Sequence, residues 1–321
     1  MTGKDLRIIF MGTPDFAVAS LKALVEHGYQ VVGVVTMPDK PAGRGQKLQE
    51  SAVKKYAAKK GLTILQPEKL KDPGFIRQLE SLKANLQVVV AFRMLPEVVW
   101  SMPPLGTFNL HGSLLPRYRG AAPLNWAIIN GEQETGVTTF LLDHEIDTGR
   151  ILFQEKIQIE HEDTVGDIHD KLMAIGAGLV LKTVDALAEG HYEAVPQAQF
   201  AEKGLVHAPK IFKEDCRIDW TKPARKVYNF IRGLSPYPAA WTELTDQNGQ
   251  SLLMKIFFAR LGEDTDMPPG TLVSNGKNIL QIAAGGKLMD ITDLQISGKK
   301  RMKTEEFLRG VREVRRWNVK R

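Results

Sequence analysis

The 321-residue sequence has one cysteine and no long apolar run. The single Cys216 cannot form an intramolecular disulfide, and no apolar stretch approaches the roughly 20 residues that span a bilayer. The first residues also lack the charged-then-apolar order of a secretory signal. We therefore expect a cytoplasmic protein with no membrane partner. At 43% hydrophobic and 25% charged residues, the chain can form one large or two smaller globular domains.

The first turn is poor in glycine. Its sequence is GTPDF at 12–16, which has one glycine where a dinucleotide-binding fingerprint needs three, and no Walker pattern occurs in the chain. We therefore expect no NAD cofactor and no P-loop. His161 and His169 have neither a cysteine pair nor a histidine partner at i, i+4, so we also expect no metal site.

Positive charge is concentrated at one end of the chain. The net charge is +6, yet residues 298–321 alone contain ten Lys or Arg against three Glu, a net +7. The rest of the chain is therefore close to neutral. This distribution favours an anionic partner, nucleic acid first, with a solvated helix face as the alternative.

The first half alternates short apolar runs with amphipathic stretches, which indicates an α/β fold with a Rossmann-like, mostly parallel sheet. The predicted strands lie at 6–11, 31–36, 86–91, 106–110, 135–142 and 151–159, the last two as an antiparallel pair. The predicted helices lie at 16–27, 51–60 and 164–187.

The pattern changes after residue 189. Periodicity lapses, and short alternating stretches with turns follow, which are typical of a small β-rich domain. We expect a Rossmann-like domain at 1–189, a linker at 190–208, and a smaller OB-like β-barrel at 209–321 that ends in a basic helix.

Asn109 and His111 lie two residues apart at the end of a predicted strand, so both side chains point to one face. The carboxyl edge of an open α/β sheet is where ligands bind. A carboxamide and an imidazole aimed at one point stabilise an oxyanion as it forms. Asp147, in a turn that ends at Gly149, would orient the His111 ring or accept a proton from a nucleophile. The structural alternative is a histidine simply hydrogen-bonded in place.

Ser113 beside His111 and Asp147 imitates a hydrolase triad. However, the residues on either side of Ser113 do not form a G-x-S-x-G elbow, which disfavours a nucleophilic serine.

Motifs extend over nearly the whole chain. The two long ones are NLHGSLLPRYRGAAP at 109–123 and GVTTFLLDHEIDTG at 136–149. The short ones are GTPDFA at 12–17, PDKPAGRGQKL at 38–48, RIDW at 217–220, LSPYPAAW at 234–241, PPGTL at 268–272 and GKKRM at 298–302. Together they resemble the family of formyltransferases that use 10-formyltetrahydrofolate, and the loop and C-terminal motifs resemble its tRNA-acting branch.

The resemblance implies transfer of a formyl group from 10-formyltetrahydrofolate, the co-substrate, to the methionine α-amine of initiator methionyl-tRNA. Asn109, His111 and Asp147 fall on the family's catalytic positions. The residues on its folate-binding positions are Ser113, Leu114, Leu115, Pro116, Phe92 and Asp143. The family usually has a glycine and a further residue before Leu-Pro where this chain has AFRMLP at 91–96, so Arg93 is a departure beside the pterin pocket.

Two basic segments are the expected tRNA contacts. One is a loop rich in Pro and Gly at 37–48, which the resemblance implies enters the acceptor end, and the other is the start of the basic end, which would contact phosphates. The predicted contacts are Lys40, Arg44, Lys47, Lys299, Lys300, Arg301 and Lys303. We expect a monomer whose partners are initiator methionyl-tRNA and formyl-folate.

Three alternatives remain open at this point. An enzyme with the same catalytic residues could formylate the amine of a nucleotide sugar, although so broad a cationic surface is unnecessary for a small substrate. A hydrolase would use water in place of the amine and release formate. A non-catalytic RNA-binding protein is the alternative of another class, and the complete set of Asn109, His111 and Asp147 disfavours it.

Overall fold

The computed structural model describes residues 1–42, 47–245, 249–311, 314 and 317–319. At residues 42, 47 and 201–203 it describes the backbone but not the side chains. The chain forms two compact units. The first contains Met1–Gly120, Thr135–Ile157 and His169–His207, and the second contains Ala121–Glu134, Gln158–Ile168 and Ala208–Arg321. The chain passes from the first unit to the second for the last time after His207, which lies within the predicted linker 190–208. The predicted domain boundaries stay a prediction.

The first unit contains a sheet and the helices that cover it. Its strands are β1 (Arg7–Gly12), β2 (Gln30–Val35), β3 (Lys40–Ala42), β4 (Lys47–Gln49), β5 (Ile64–Leu65), β6 (Leu86–Val90), β7 (Thr107–His111), β8 (Arg119–Gly120), β9 (Glu134–Leu141) and β10 (Ile151–Gln158). Its helices are α1 (Asp15–Glu26), α2 (Ala52–Lys59), α3 (Pro73–Ser81), α4 (Glu97–Trp100) and α6 (Val165–Glu189). None of the described helices of the chain is long and apolar enough to cross a membrane.

The main sheet has the strand order β10-β9-β7-β6-β1-β2-β5. β1 pairs in parallel with β2 and β6, β6 pairs in parallel with β7, and β7 pairs antiparallel with β9. This arrangement confirms the predicted Rossmann-like, mostly parallel sheet. The order of the strands reverses at β1, so the carboxyl ends of β1, β6 and β7 form the edge at which such sheets bind ligands.

Local sequence explains how these elements begin and pack. Residues 8–11 of β1 are fully buried, as expected for a parallel strand covered on both faces. At the end of β1, a Cβ on Gly12 would lie 2.7 Å from the Ala17 Cβ and 3.0 Å from the Val90 carbonyl oxygen, so glycine permits the close approach of α1. Ser51 caps the N-terminus of α2, because its hydroxyl accepts from the Lys54 amide at 3.0 Å.

The second unit contains a nearly closed antiparallel sheet. Its helices are α5 (Pro123–Ile129), α7 (Ala224–Leu234) and α8 (Thr304–Gly310). The strands from residue 207 onward are β11 (His207–Ala208), β12 (Ala240–Thr245), β13 (Ser251–Asp264), β14 (Leu272–Ser274), β15 (Leu280–Ala284), β16 (Lys287–Ile296), β17 (Met302–Lys303) and β18 (Asn318–Val319).

The strand order in this sheet is β14-β15-β16-β13-β12-β18, so β14 and β18 are its two edge strands. A Cβ on Gly270, just before β14, would lie 3.6 Å from the Cβ of Val319 in β18. The two edges of the sheet therefore approach each other, which confirms the predicted small β-barrel. Its interior contains Met254, Ile256 and Leu294, among other buried apolar residues.

The end of the chain differs from the expected basic helix. Among the described residues after 303, the short α8 is the only α-helix, and β18 then pairs antiparallel with β12. Phe307, Leu308, Val314 and Trp317 are all buried in the barrel core. These apolar side chains attach the segment to the barrel, and their burial explains why one long solvated helix does not form.

Candidate active site

β7 brings Asn109 and His111 to the carboxyl edge of the sheet, as the strand period predicts. Asn109 lies opposite Val89 of β6 and Phe140 of β9, and His111 lies opposite Thr138. Asn109 is half-buried, whereas His111 is 7% exposed. The Asn109 carboxamide has no hydrogen-bond partner among the described residues. Its N–H and carbonyl groups are therefore free to bind a substrate.

The loop after β7 orients the His111 ring. Its Nε2 lies 3.0 Å from the Tyr118 carbonyl oxygen. A carbonyl only accepts, so Nε2 carries the proton in this bond. The ring also makes an edge-on contact with Phe140, with centroids 6.4 Å apart. Nδ1 is consequently the ring nitrogen that is left to act on a substrate.

Asp147 lies in the turn between β9 and β10. Its φ of +55° is in the left-handed region, and its Oδ2 accepts from the Gly120 amide at 3.0 Å. Asp147 forms no ion pair with His111 in the described part of the chain. The direct contact expected from the sequence is replaced by the backbone of 118–120, whose Tyr118 carbonyl orients the ring and whose Gly120 amide orients the carboxylate.

Gln197, which sequence reasoning missed, holds the Asp147 turn. Its side chain is buried, and Nε2 donates to the carbonyls of Asp147 and Gly149, each at 2.9 Å. Its Oε1 accepts from Arg119 Nε at 3.0 Å and Nη2 at 2.6 Å. Gln197 thus uses its whole hydrogen-bonding capacity. It lies in the segment predicted as a linker, where no local pattern signals burial.

The predicted folate loop at 113–116 is attached to β9 and β10. The Thr138 hydroxyl donates to the Ser113 carbonyl at 2.6 Å, and its oxygen accepts from the Leu115 amide at 3.1 Å. Gln154 donates to the Leu115 carbonyl at 2.8 Å. The Ser113 hydroxyl donates to the Arg117 carbonyl at 2.8 Å and so stabilises the turn of the loop itself.

The apolar residues of this loop pack inward. Leu115 and Pro116 are buried, and Leu115 contacts Phe140 in a small apolar cluster. Half-buried Leu114 lies over Gly136 of β9, where an added Cβ would be 2.6 Å from its Cδ2. These contacts position the loop, and its predicted role in folate binding stays a prediction.

Phe92 and Leu142 line one apolar region beside the carboxyl edge. Both pack against the buried cluster that contains Val89. Asp143 follows Leu142 and is exposed, with its Oδ1 accepting from the His144 amide at 2.7 Å. The region thus has apolar walls and a carboxylate at its rim, and its predicted role in pterin binding stays a prediction.

The predicted basic loop is a hairpin. Lys40 begins β3, which pairs antiparallel with β4. Asp39 anchors the entry, since it forms an ion pair with Lys54 and accepts from Gln66 Nε2 at 2.9 Å. The hydrogen bonds from Lys54 and Gln66 lower the pKa of Asp39 below its ordinary value. Arg44 and the side chain of Lys47 lie outside the described residues.

The four predicted contacts at the basic end differ in their surroundings. Lys299 and Lys300 are exposed, with no ion-pair partner among the described residues. Arg301 makes two 2.8 Å bonds to Asp293, and Lys303 lies 3.2 Å from the same carboxylate. Burial raises the pKa of Asp293, but the bonds from Arg301 and Lys303 outweigh it, so its pKa is lowered. Lys299 and Lys300 are therefore the cations without internal compensation.

Two family models match the sequence of this chain. Residues 6–184 match the formyl transferase family, and residues 210–312 match the formyl transferase C-terminal domain. The chain therefore belongs to the formyl transferase family, whose enzymes use formyl-folate as co-substrate. A curated relative, the methionyl-tRNA formyltransferase of Bacteroides fragilis, is 59% identical over 312 residues, which are 97% of this chain and 96% of the relative.

Solved structures share the fold at low sequence identity. A variant of HypX from Aquifex aeolicus is 19% identical with a TM-score of 0.64, and the match covers 96% of this chain but 48% of that one. An N-formyltransferase from Helicobacter canadensis, in complex with folinic acid and dTDP-3-aminofucose, is 20% identical with a TM-score of 0.61. That match covers 89% of this chain and 98% of the other.

Proposed function

We propose that the chain transfers the formyl group of 10-formyltetrahydrofolate to the α-amine of the methionine carried by initiator tRNA. The observation that carries this proposal is the nearly full-length 59% identity to a methionyl-tRNA formyltransferase. The position of Asn109 and His111 at the ligand-binding edge of the sheet supports it. The product, N-formylmethionyl-tRNA, serves translation initiation.

The reaction begins with attack by the neutral amine. Its nitrogen forms a bond to the formyl carbon, and the formyl oxygen becomes an oxyanion. The Asn109 amide and the Nδ1–H of protonated His111 donate to this oxyanion. The Nε2 bond to the Tyr118 carbonyl keeps the ring in position while the charge develops.

Asp147 acts as the general base. It removes a proton from the attacking amine, directly or through one water. The tetrahedral intermediate then collapses, the bond between the formyl carbon and folate N10 breaks, and N10 takes up a proton. The products are N-formylmethionyl-tRNA and tetrahydrofolate, so the transfer requires neither an oxidant nor a reductant.

The cationic residues would hold the tRNA. Lys299 and Lys300 supply uncompensated charge for phosphates, and the hairpin that starts at Lys40 contacts the acceptor end. A Lys299→Gln/Lys300→Gln variant should weaken tRNA binding and reduce the slope of log K against log salt by roughly one to two. Formyl-folate affinity, measured in parallel, should stay unchanged. An unchanged salt slope would contradict this assignment.

A direct assay tests the activity. The protein is mixed with formyl-folate and one of three acceptors: charged initiator tRNA, uncharged tRNA or an amino-sugar nucleotide. We expect turnover with charged initiator tRNA alone, and Asn109→Ala should lower the rate roughly 10²- to 10³-fold because one oxyanion donor is lost. Formylation of the sugar, or formate release without an acceptor, would favour one of the alternative enzymes. A parental rate for Asn109→Ala would refute the role of Asn109.

A further inference from the structure

The β3–β4 hairpin leaves the main sheet after β2 and returns at Ser51, the residue that caps α2. The Thr36 and Ser51 hydroxyl oxygens lie 2.8 Å apart, so the two ends of the segment 37–50 meet at its base. Thr36 is fully buried, whereas the described side chains of the segment itself are half-buried or exposed. The base is therefore the part of the hairpin that is attached to the body of the first unit.

Lys54 of α2 contacts both ends of the hairpin. Its Nζ forms an ion pair with Asp39, just before β3, and lies 3.0 Å from Glu50 Oε1, just after β4. An i, i+4 pair between Glu50 and Lys54 alone would involve only the end at which the hairpin returns. With Asp39 as a second partner, one ammonium group joins the segment that enters the hairpin to the segment that leaves it. We call these three residues the Lys54 bridge.

Gln66 attaches the entering segment a second time. Its Nε2 donates to the Met37 carbonyl at 2.8 Å and to Asp39 Oδ1 at 2.9 Å, while Asp39 Oδ2 accepts from Lys54. The bonds from Lys54 and then Gln66 lower the pKa of Asp39, and the bonds to Asp39 and then Glu50 raise the pKa of Lys54. Both shifts favour the charged forms, as expected for a bridge of ionised groups.

The Lys54 bridge lies next to the outermost paired residues of the hairpin. Lys40 pairs with Gln49. Lys40 directly follows Asp39, and Gln49 directly precedes Glu50. A two-stranded hairpin by itself is marginally stable, so its pairing and direction depend on how its base is held. The predicted tRNA contacts of this segment all lie between the two bridged carboxylates: Lys40, Arg44 and Lys47.

We propose that Lys54 is a positioning residue for tRNA, which holds the hairpin through Asp39 and Glu50 in the orientation that meets the acceptor end. The proposal rests on the proposed function, since that function gives the hairpin its contact with tRNA. Lys54 acts without touching the RNA, because two carboxylates already occupy its ammonium group. The two carboxylates support tRNA binding in the same way, although their charge by itself repels a polyanion.

The carboxylates provide the sharpest test, because charge alone and the bridge predict opposite effects. Asp39→Asn and Glu50→Gln each remove a negative charge, which by itself strengthens binding of a polyanion. Loss of one ion pair of the bridge should instead raise the KM for charged initiator tRNA, by about two- to fivefold in each variant. The Kd for formyl-folate and kcat at saturating tRNA should stay at their parental values.

Lys54→Met removes both ion pairs and should raise the KM for tRNA roughly five- to tenfold. Lys55→Met is the matched control, because Lys55 is the next residue of α2 and is exposed, with no ion-pair partner in the described part of the chain. It loses the same charge beside the same hairpin and should change the KM less than about twofold. Lys54→Arg keeps a cation for both carboxylates and should retain a KM near the parental value.

Hydrogen exchange tests the bridge without tRNA and without activity. The backbone amides of β3 and β4 are followed by mass spectrometry in the protein alone, with folding checked by thermal unfolding. They should exchange roughly fivefold faster or more in Lys54→Met, because the hairpin opens more often when its base is released. Lys55→Met and Lys54→Arg should exchange at the parental rate.

Three results would overturn the proposal. They are parental exchange of β3 and β4 in Lys54→Met, a lower KM for tRNA in Asp39→Asn and Glu50→Gln, and an equal rise in KM for Lys54→Met and Lys55→Met. The last two would assign the effects to charge alone. Failure of the proposed function would be distinct, because the parental protein would then not formylate charged initiator tRNA while hydrogen exchange still responded to Lys54→Met.

Discussion

Replacing Gln197 by leucine should slow formyl transfer roughly 10²-fold while the first unit stays folded. Leucine has a similar volume, but it cannot donate hydrogen bonds to the carbonyls of Asp147 and Gly149 or accept the two hydrogen bonds from Arg119. A neutral hydrogen bond contributes about 1 kcal/mol, and one to a charged group about 1.5–3 kcal/mol. The conformation of the turn that positions Asp147 would lose at least about 3 kcal/mol of stabilisation, which corresponds to a roughly 10²-fold smaller population of that conformation.

The assay is single-turnover formation of formylmethionyl-tRNA at saturating formyl-folate, with thermal unfolding measured alongside. Gln199→Leu is the matched control, because Gln199 is exposed and lies in the same 3-10 helix, Gln197–Lys203. The same change is also made in an Asp147→Asn background. If Gln197 acts through Asp147, Gln197→Leu should lower the formylation rate by less than about threefold in the Asp147→Asn background, because the effects of coupled residues are not additive.

Two outcomes would refute this reasoning. One is a folded Gln197→Leu protein whose rate equals that of the Gln199→Leu control. The other is the same loss of rate in the parental and Asp147→Asn backgrounds, which would show that Gln197 acts independently of that carboxylate.

Gly149→Ala should destabilise the first unit by about 3 kcal/mol or more, because its Cβ would lie 1.7 Å from the Leu141 carbonyl oxygen. Gly178→Ala, on an open part of α6, should instead stabilise it by about 0.5–1 kcal/mol, and urea unfolding of both variants tests this contrast. Tyr29 donates to both carboxylate oxygens of Asp185 at 2.9 Å, and burial, followed by this bond, raises its pKa from 10.0 to about 12. The folded state holds the phenol proton more tightly, so the stabilisation is complete below pH 10 and about 2–3 kcal/mol is lost by pH 12. Tyr29→Phe should reduce this decline in unfolding free energy by the share that Tyr29 contributes, and a decline of unchanged size would contradict the assignment.

Elements that depend on neighbouring residues could be predicted from the sequence. The apolar run of β1 marks a buried strand, and its first turn at Gly12 has too few glycines for a dinucleotide fingerprint. The spacing of Asn109 and His111 places both on one face of β7, because side chains alternate along a strand. These features involve one or two consecutive elements, so local pattern and sterics are sufficient.

Other features depend on segments far apart in the chain. Gln197 lies 50 residues from Asp147 and is buried only because the folded backbone brings Arg119 and Gly149 beside it. The Tyr118 carbonyl replaces Asp147 as the group that orients His111 for the same reason. No periodicity records such contacts, since backbone carbonyls and amides are present at every residue.

The sequence by itself determined the sheet, the barrel and the residues at the carboxyl edge of the sheet, because strand periodicity and turn chemistry are local. Tertiary structure alone decided which cations near the end of the chain are paired with a carboxylate. Folding brings Asp293 beside Arg301 and Lys303 and compensates them, while Lys299 and Lys300 remain exposed. A count of basic residues cannot separate these cases, because compensation depends on distances of a few ångströms between strands.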